Sequence, residues 1–351
     1  MAATVQDLLS QHSTNHVKTT GYKTGTDKTW TRQYPPIERV AMRSRAVPED
    51  CSSIIADFES PLLPDYDDDP VRWAQPAFPP NKRSWRLETE EDCSDWFKAE
   101  VSNVVLAAWT DYPAILQASH AKAFSDTSSS ETVDVSYTFT HLNRKVPVII
   151  GEWKRNLIRP QEWMESRLSN AQQKLAKELR GYADKYQCPQ IFCFDGEWLL
   201  MLQFRAKSPE KIKDANCKID CWLIPRVNGD NGVTLRYALY RFLAQGFRRC
   251  QGYYWRTAIP TRVGGLLPEP NREFFSGMPI WKVDGVSSGQ HPGGFQRAIN
   301  TDYGAFYWTH TDQSLLPVGE VLWDTQAFWY SGQDVAAGAA GAGQGCEDLG
   351  G

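Results

Sequence analysis

The sequence predicts an α/β chain of the α+β type, and three observations carry that expectation. Residues 133–154 read as two strand-like runs joined by a polar turn. A strongly helix-periodic stretch follows over 161–186, with Met164, Leu168, Ala171, Leu175, Leu179, Tyr182 and Tyr186 spaced by threes and fours. Short apolar runs then recur at 190–194, 198–204 and 218–225, before a second amphipathic stretch at 234–249. With 351 residues and 41% apolar content, the chain is long enough for one large domain or two modest ones with a sizeable core.

Taken in order, residues 1–83 are rich in Pro, Ser, Thr and Asp, have little periodicity and include the acidic run 64–70. They predict a largely irregular arm that drapes over the domain through Trp73 and Phe78. A helix is expected from Ser94 or Asp95 to about Trp109, after the acid-rich 88–92, with Phe97, Val101, Val104, Val105 and Ala108 as its apolar face. Residues 111–124 are ambiguous, with room for one short strand, and 125–131 read as a polar loop. The runs 190–194 and 198–204 flank Asp195-Gly196-Glu197, a hairpin signal. In the helix 234–249, Leu235, Leu239, Phe242 and Leu243 face inward and Arg236, Arg241, Arg248 and Arg249 outward.

Beyond 251 the texture turns to Gly, Pro and aromatics, with short strands expected at 279–283, 305–310 and 318–323. Phe328, Trp329 and Tyr330 end the apolar content, and the low-complexity tail 331–351 is expected to be disordered. The core is expected over 84–250, with 251–330 as an extension packed on it.

The hairpin makes the most specific chemical offer. Asp134 opens its first strand and Glu152-x-Lys154 closes its second. Side chains alternate along a strand, so Glu152 and Lys154 share one face while Trp153 points to the other, toward the core. With the turn centred on Asn143, Asp134 lies opposite Glu152, their Cβ atoms roughly 4.5–5.5 Å apart. Two carboxylates that close demand a cation between them or a proton on one of them. Such a trio suits phosphodiester cleavage with a divalent metal; the plainer alternative is a salt bridge at the sheet rim.

The net charge of −4 is uninformative, but residues 141–185 hold ten Lys and Arg against five acids, as a phosphate-backbone footprint requires. Eight scattered cysteines, with no apolar leader or long apolar run, point to a reduced, intracellular setting, cytoplasmic or nuclear, with no membrane partner. Cys188, Cys193, Cys217 and Cys221 are irregularly spaced for zinc and read as buried thiols.

The element order and the motifs Asp134 and Glu152-x-Lys154 resemble the PD-(D/E)XK nuclease superfamily, most closely its fungal nuclease-like domains, over residues 84–250. The resemblance implies a restriction-endonuclease-like core, a mixed central sheet flanked by helices, with Mg²⁺ or Mn²⁺ held by Asp134, Glu152 and the backbone carbonyl of Trp153. It also implies a third carboxylate from the first helix. Glu100, three residues before Asn103, fits that spacing, with Asp95 in reserve. Val133 stands where the family often has proline, and a Gln-x-x-x-Tyr motif is only loosely echoed by Gln172 and Gln173.

In that setting Lys154 orients the attacking water and steadies developing charge, while Arg155, Arg159 and Lys174 grip phosphates. The implied function is a metal-dependent nuclease acting on DNA or RNA. The alternatives are a nuclease fold that binds nucleic acid or protein without cutting, and an interaction protein working through its aromatic C-terminal region.

Overall fold

The computed structural model describes residues 3–48, 50–59, 69–110, 114–122 and 131–327. Most of the acidic run 64–70 and of the loop 125–131, and everything from Phe328 on, lie outside the described residues. Seven strands form one mixed sheet: β1 (Ala41–Met42), β2 (Leu116–Lys122), β3 (Thr132–His141), β4 (Arg144–Trp153), β5 (Gln190–Phe194), β6 (Trp198–Phe204) and β7 (Ile219–Pro225), in the spatial order β1-β7-β6-β5-β4-β3-β2. β4 runs parallel to β5, and β7 to β1; the other neighbours are antiparallel. A parallel pair needs a crossover, and the chain between β4 and β5 supplies it as helices α2 (Pro160–Met164) and α3 (Asn170–Lys185).

Helices cover both faces. On one, Phe97, Val101 and Val105 of the first helix and Leu239, Phe242 and Leu243 of the helix Leu235–Tyr254 pack against Tyr137, Trp153, Phe192 and Phe194. On the other, Leu175, Leu179 and Tyr182 of α3 pack against Ile150, Ile191, Cys193 and Leu200. The pleat of β4 therefore sends Trp153 toward the first helix and Ile150 and Glu152 toward α3.

The helices depart from the expected boundaries for identifiable reasons. The first begins at Glu90, four residues early, and continues through a π turn at Lys98–Ser102 to Trp109. Thr89 and Asp92 form a capping box, so Glu90, Glu91 and Asp92 are the helix's first turn, where negative charge suits the dipole. The single helix expected over 161–186 is two, because Ser166 takes a left-handed conformation (φ 53°) between α2 and α3.

The helix Leu235–Tyr254, here α4, corrects another expectation: Arg236, Arg241, Arg248 and Arg249 are buried rather than outward. Arg236 donates to the backbone carbonyls of Leu8, Gln11 and Glu100, so the arm covers that side. Arg249 has a task inside the sheet. β3 and β4 slip by one residue between Pro147 and Ile149, a β-bulge that leaves carbonyls needing partners. Arg249 Nη2 donates to Pro147 O at 2.6 Å and Val148 O at 3.2 Å.

The arm is more ordered than expected. It carries the buried helix Val5–Leu9, the strand His16–Thr19 paired with Ser84–Leu87, and β1 at the sheet edge. Trp73 packs near Tyr240, while Phe78 is exposed. The C-terminal extension builds a hairpin (Trp281–Val283 with Val286–Ser288) and a three-stranded sheet (Gln296–Asn300, Ala305–Thr309, Leu322–Trp323) around Val263, Trp281, Phe295 and Trp308. Of the expected strand 318–323, only Leu322–Trp323 pairs.

Gly246 lets α4 reach the bulge, since a Cβ there would lie 2.3 Å from Val148 O. Intrinsic helix propensity favours Gly246→Ala by roughly 1 kcal/mol. The close approach predicts the opposite sign, a loss of about 1–3 kcal/mol in urea unfolding, with a gain in stability contradicting the assignment.

Candidate functional site

The hairpin turn between β3 and β4 is two residues, Leu142 and Asn143, both at positive φ (46° and 60°), the backbone of a type I′ turn. This is not the turn centred on Asn143 that the sequence suggested, and it pairs Arg144 with His141. Carried unbroken to the strand ends, that register would set Glu152 beside Val133. The bulge intervenes, so that beyond it Ile150 pairs with Ser136 and Gly151 with Val135. One step further, Asp134 faces Glu152. Trp153 N–H donates to Asp134 Oδ2 at 2.8 Å, which fixes the Asp134 carboxylate at the end of β4.

Glu152 is almost fully buried on the α3 side. Its Oε1 accepts from Lys154 Nζ at 2.7 Å. A second carboxylate that the sequence did not single out, Glu178 of α3, lies 3.4 Å from the same ammonium through Oε1. A second ammonium is also present. Lys28 of the N-terminal arm places Nζ 3.1 Å from Glu152 Oε1 and 2.6 Å from Glu178 Oε1, and donates to Tyr182 Oη at 2.6 Å. Thr26 donates to Glu178 Oε2. Glu152 Oε2 is buried without a hydrogen-bond partner among the described residues.

The electrostatics follow from burial and these neighbours. Burial pushes the Glu152 carboxyl up to about 8; Asp134 and Glu178 add to the rise, while Lys154 and Lys28 oppose it. Burial also disfavours the Glu178 anion, but the two ammoniums prevail and hold its carboxyl below the usual range. Burial works against both lysine charges, yet Glu152 and Glu178 together raise Lys154 and Lys28 well above ordinary lysine. Both lysines are therefore fixed as ammoniums.

The remaining candidates divide. Glu100 does not join this group. It is buried, but Ser13 Oγ, Asn15 Nδ2 and Trp85 Nε1 donate to its carboxylate at 2.7, 2.6 and 2.8 Å, so it pins the arm. The first helix packs on the Trp153 side of the sheet, whereas Glu152 faces α3. Asn103 and the reserve candidate Asp95 are exposed, Asp95 beside Lys98. Arg155 is no phosphate grip: it is fully buried and donates to the carbonyls of Leu87 and Thr20 at 3.1 and 2.9 Å. Lys174 pairs with Asp27 at 3.1 Å, and Arg159 remains exposed at the start of α2.

Gln172 is a buried brace, accepting from Trp163 Nε1 and donating to Leu157 O. The sought Gln-x-x-x-Tyr spacing recurs further along α3 as Glu178-x-x-x-Tyr182, with a carboxylate in place of the amide, and both side chains meet Lys28. Reading helix α3 for acids as well as glutamines was the signal that could have found Glu178. His120 was also missed. It sits opposite Asp134 in β2 with φ 48°, is largely exposed, and places Nδ1 3.9 Å from Asp134 Oδ1.

Among the described residues no group of three or more His, Cys, Asp and Glu side chains is arranged to hold a metal. In kind, the donors do suit a hard divalent cation. Glu152 and Glu178 converge on one cationic position, which an ammonium holds, and Glu152 Oε2 lacks a donor. Trp153 engages Asp134 through its N–H. No helix among the described residues is long and apolar enough to cross a membrane. Comparison with family models, with curated proteins and with solved structures gives no match.

The Glu152 carboxyl has a testable pH signature. Its folded value lies above its ordinary 4.5, so its stabilising contribution is complete below 4.5 and is lost as pH rises through about 8. The stability difference between the native protein and Glu152→Gln, measured by urea unfolding, should shift against the native protein from pH 6 to pH 9. A pH-independent difference would show that Glu152 is ionised throughout.

Proposed function

We propose that this chain is a metal-dependent phosphodiesterase acting on DNA or RNA, with a restriction-endonuclease-like core and a site built on Asp134, Glu152 and Lys154. One observation carries the reading: the bulge in the hairpin brings these three side chains to one end of β4, with the Lys154 ammonium 2.7 Å from Glu152. Glu178 replaces Glu100 as the further carboxylate. A bound Mg²⁺ or Mn²⁺ would supply charge neutralisation at phosphate and activation of water. Glu152 and Glu178 would hold it, with Asp134 on the solvent side.

Glu152 and Glu178 beside Lys154 favour its ammonium form over the role of a base. Its role is to position water and to stabilise charge developing on the phosphoryl oxygens. Arg159, exposed at the start of α2, is the basic residue of the expected set available to a phosphate backbone, and Lys174 joins it on leaving Asp27. Cys93, Cys188, Cys193, Cys217, Cys221 and Cys250 are free thiols, which suits a reducing compartment such as cytoplasm or nucleus.

A second reading, a nuclease fold that binds without cutting, is favoured by Lys28, whose ammonium lies between the carboxylates. Incubation with single- and double-stranded DNA and RNA in Mg²⁺, Mn²⁺ or EDTA decides between them. The phosphodiesterase reading expects metal-dependent cutting that falls by at least ~10²-fold in Lys154→Ala and Asp134→Ala and survives in Glu100→Gln. Binding without cutting in every metal overturns it.

A further inference from the structure

We propose that Lys28 is a tethered stand-in for the divalent cation, and that the part of the strap 20–34 carrying it, residues 26–34, must lift from α3 before a cation can sit between Glu152 and Glu178. The identity of what enters rests on the phosphodiesterase reading; the gate itself rests on the packing of the strap.

The position of the ammonium is the first argument. Its contacts of 3.1 and 2.6 Å run to one oxygen of each carboxylate, the two oxygens that Lys154 also touches. Glu152 and Glu178 are at most 1% exposed, while the Lys28 side chain is 36% exposed, so Lys28 is the layer between the carboxylates and solvent. Without it, Lys154 alone would compensate the buried carboxyl groups of Glu152 and Glu178, one charge short once both are ionised. A divalent cation supplies that compensation and also gives the donorless Glu152 Oε2 a partner.

The second argument is how the strap is held. Residues 21–28 have no regular secondary structure; Thr24 N–H is tied to Arg155 O, and from Thr26 onward side chains do the holding. Trp30 fills a notch over Gly181, where a Cβ would lie 2.4 Å from its ring. It meets Tyr182 edge-on at 5.1 Å, with the Lys185 ammonium 4.0 Å from its ring centre. Tyr34 Oη donates to Asp184 at 3.1 Å. A segment docked mainly by side chains belongs to the class that opens locally without global unfolding. Docked, it presents its ammonium at a high effective concentration, which a free cation must outcompete.

The test uses the full chain and Mn²⁺ alone, with binding read from the electron paramagnetic resonance of free Mn²⁺ and folding checked by circular dichroism. Lys28→Met removes the ammonium. Gly181→Leu leaves Lys28 and the carboxylates intact but fills the Trp30 notch. Both should bind Mn²⁺ at least about tenfold more tightly than the native chain, and Glu178→Gln added to Lys28→Met should abolish the gain. Lys28→Met and Gly181→Leu proteins that both bind no tighter than native overturn the gate, as does a gain that survives Glu178→Gln. Tight Mn²⁺ binding by Lys28→Met with no cutting of DNA or RNA supports the gate while removing the phosphodiesterase reading. Cutting by the native chain, with Mn²⁺ affinity unchanged in both variants, does the reverse.

Discussion

The arrangement of this molecule turns on one extra residue in β4. A tight type I′ turn fixes the hairpin register at its closed end, and that register alone would separate the two acids at the open end. The bulge between Pro147 and Ile149 shifts the pairing by one residue, and because side chains alternate, the shift decides which residues share a face. Its cost is a pair of disrupted carbonyls in a buried ladder, and α4 meets that cost. Arg249 donates to both carbonyls, and Gly246 allows the helix close enough to do so. A buried arginine on one side of the sheet thus sustains an irregularity whose effect, assembling acids, is felt on the other.

What assembles there is charge taken out of water, and its balance explains its composition. Buried carboxylates are costly unless paired, so Glu152 and Glu178 share two ammoniums. The sharing is unequal. Glu178 stays ionised below the usual range, while Glu152 holds its proton up to about 8. A cation of higher charge entering between the two would displace a proton and an ammonium together, so its binding would depend on pH.

The parts of this arrangement that were legible in the sequence are those written in local periodicity. β3 to β7 and α3 follow from alternation and three-four spacing. The facing of Asp134 and Glu152 was also legible, though through two compensating features: the turn is two residues rather than one centred on Asn143, and the bulge restores the difference. Glu178 was hidden because an acid on an amphipathic helix reads as a solvated side chain. Lys28 was hidden more deeply, since it comes from an aperiodic segment 124 residues before its partner Glu152. Glu100 shows the converse failure. Its spacing suggested a third carboxylate at the site, but it lies on the first helix, across the sheet from Glu152, and its carboxylate is consumed by the arm. The α4 arginines read as outward for the same reason: nothing local reveals that an arm and an extension will cover them.

The strap's two ends are anchored differently, and this gives its opening a direction. Its root is tied to the end of β4. Thr24 N–H donates to Arg155 O at 2.9 Å, Arg155 N–H donates to Thr24 Oγ1 at 2.8 Å, and the Arg155 guanidinium and Asn156 amide both donate to Thr20 O. Its tip, from Thr26 to Tyr34, bears instead on α3 through side chains. Between root and tip stands Gly25, where even an added Cβ would meet nothing within 4 Å. In the proposed opening, residues 26–34 would lift from α3 about Gly25 and a second joint before the buried Ile37, while the root stays on Arg155, the residue next to Lys154. Lys28 and Trp30 then leave together, whereas Lys154 keeps its place. The one ammonium would depart and the other stay, because one is carried by a side-chain-docked stretch and the other follows directly from a strand of the central sheet.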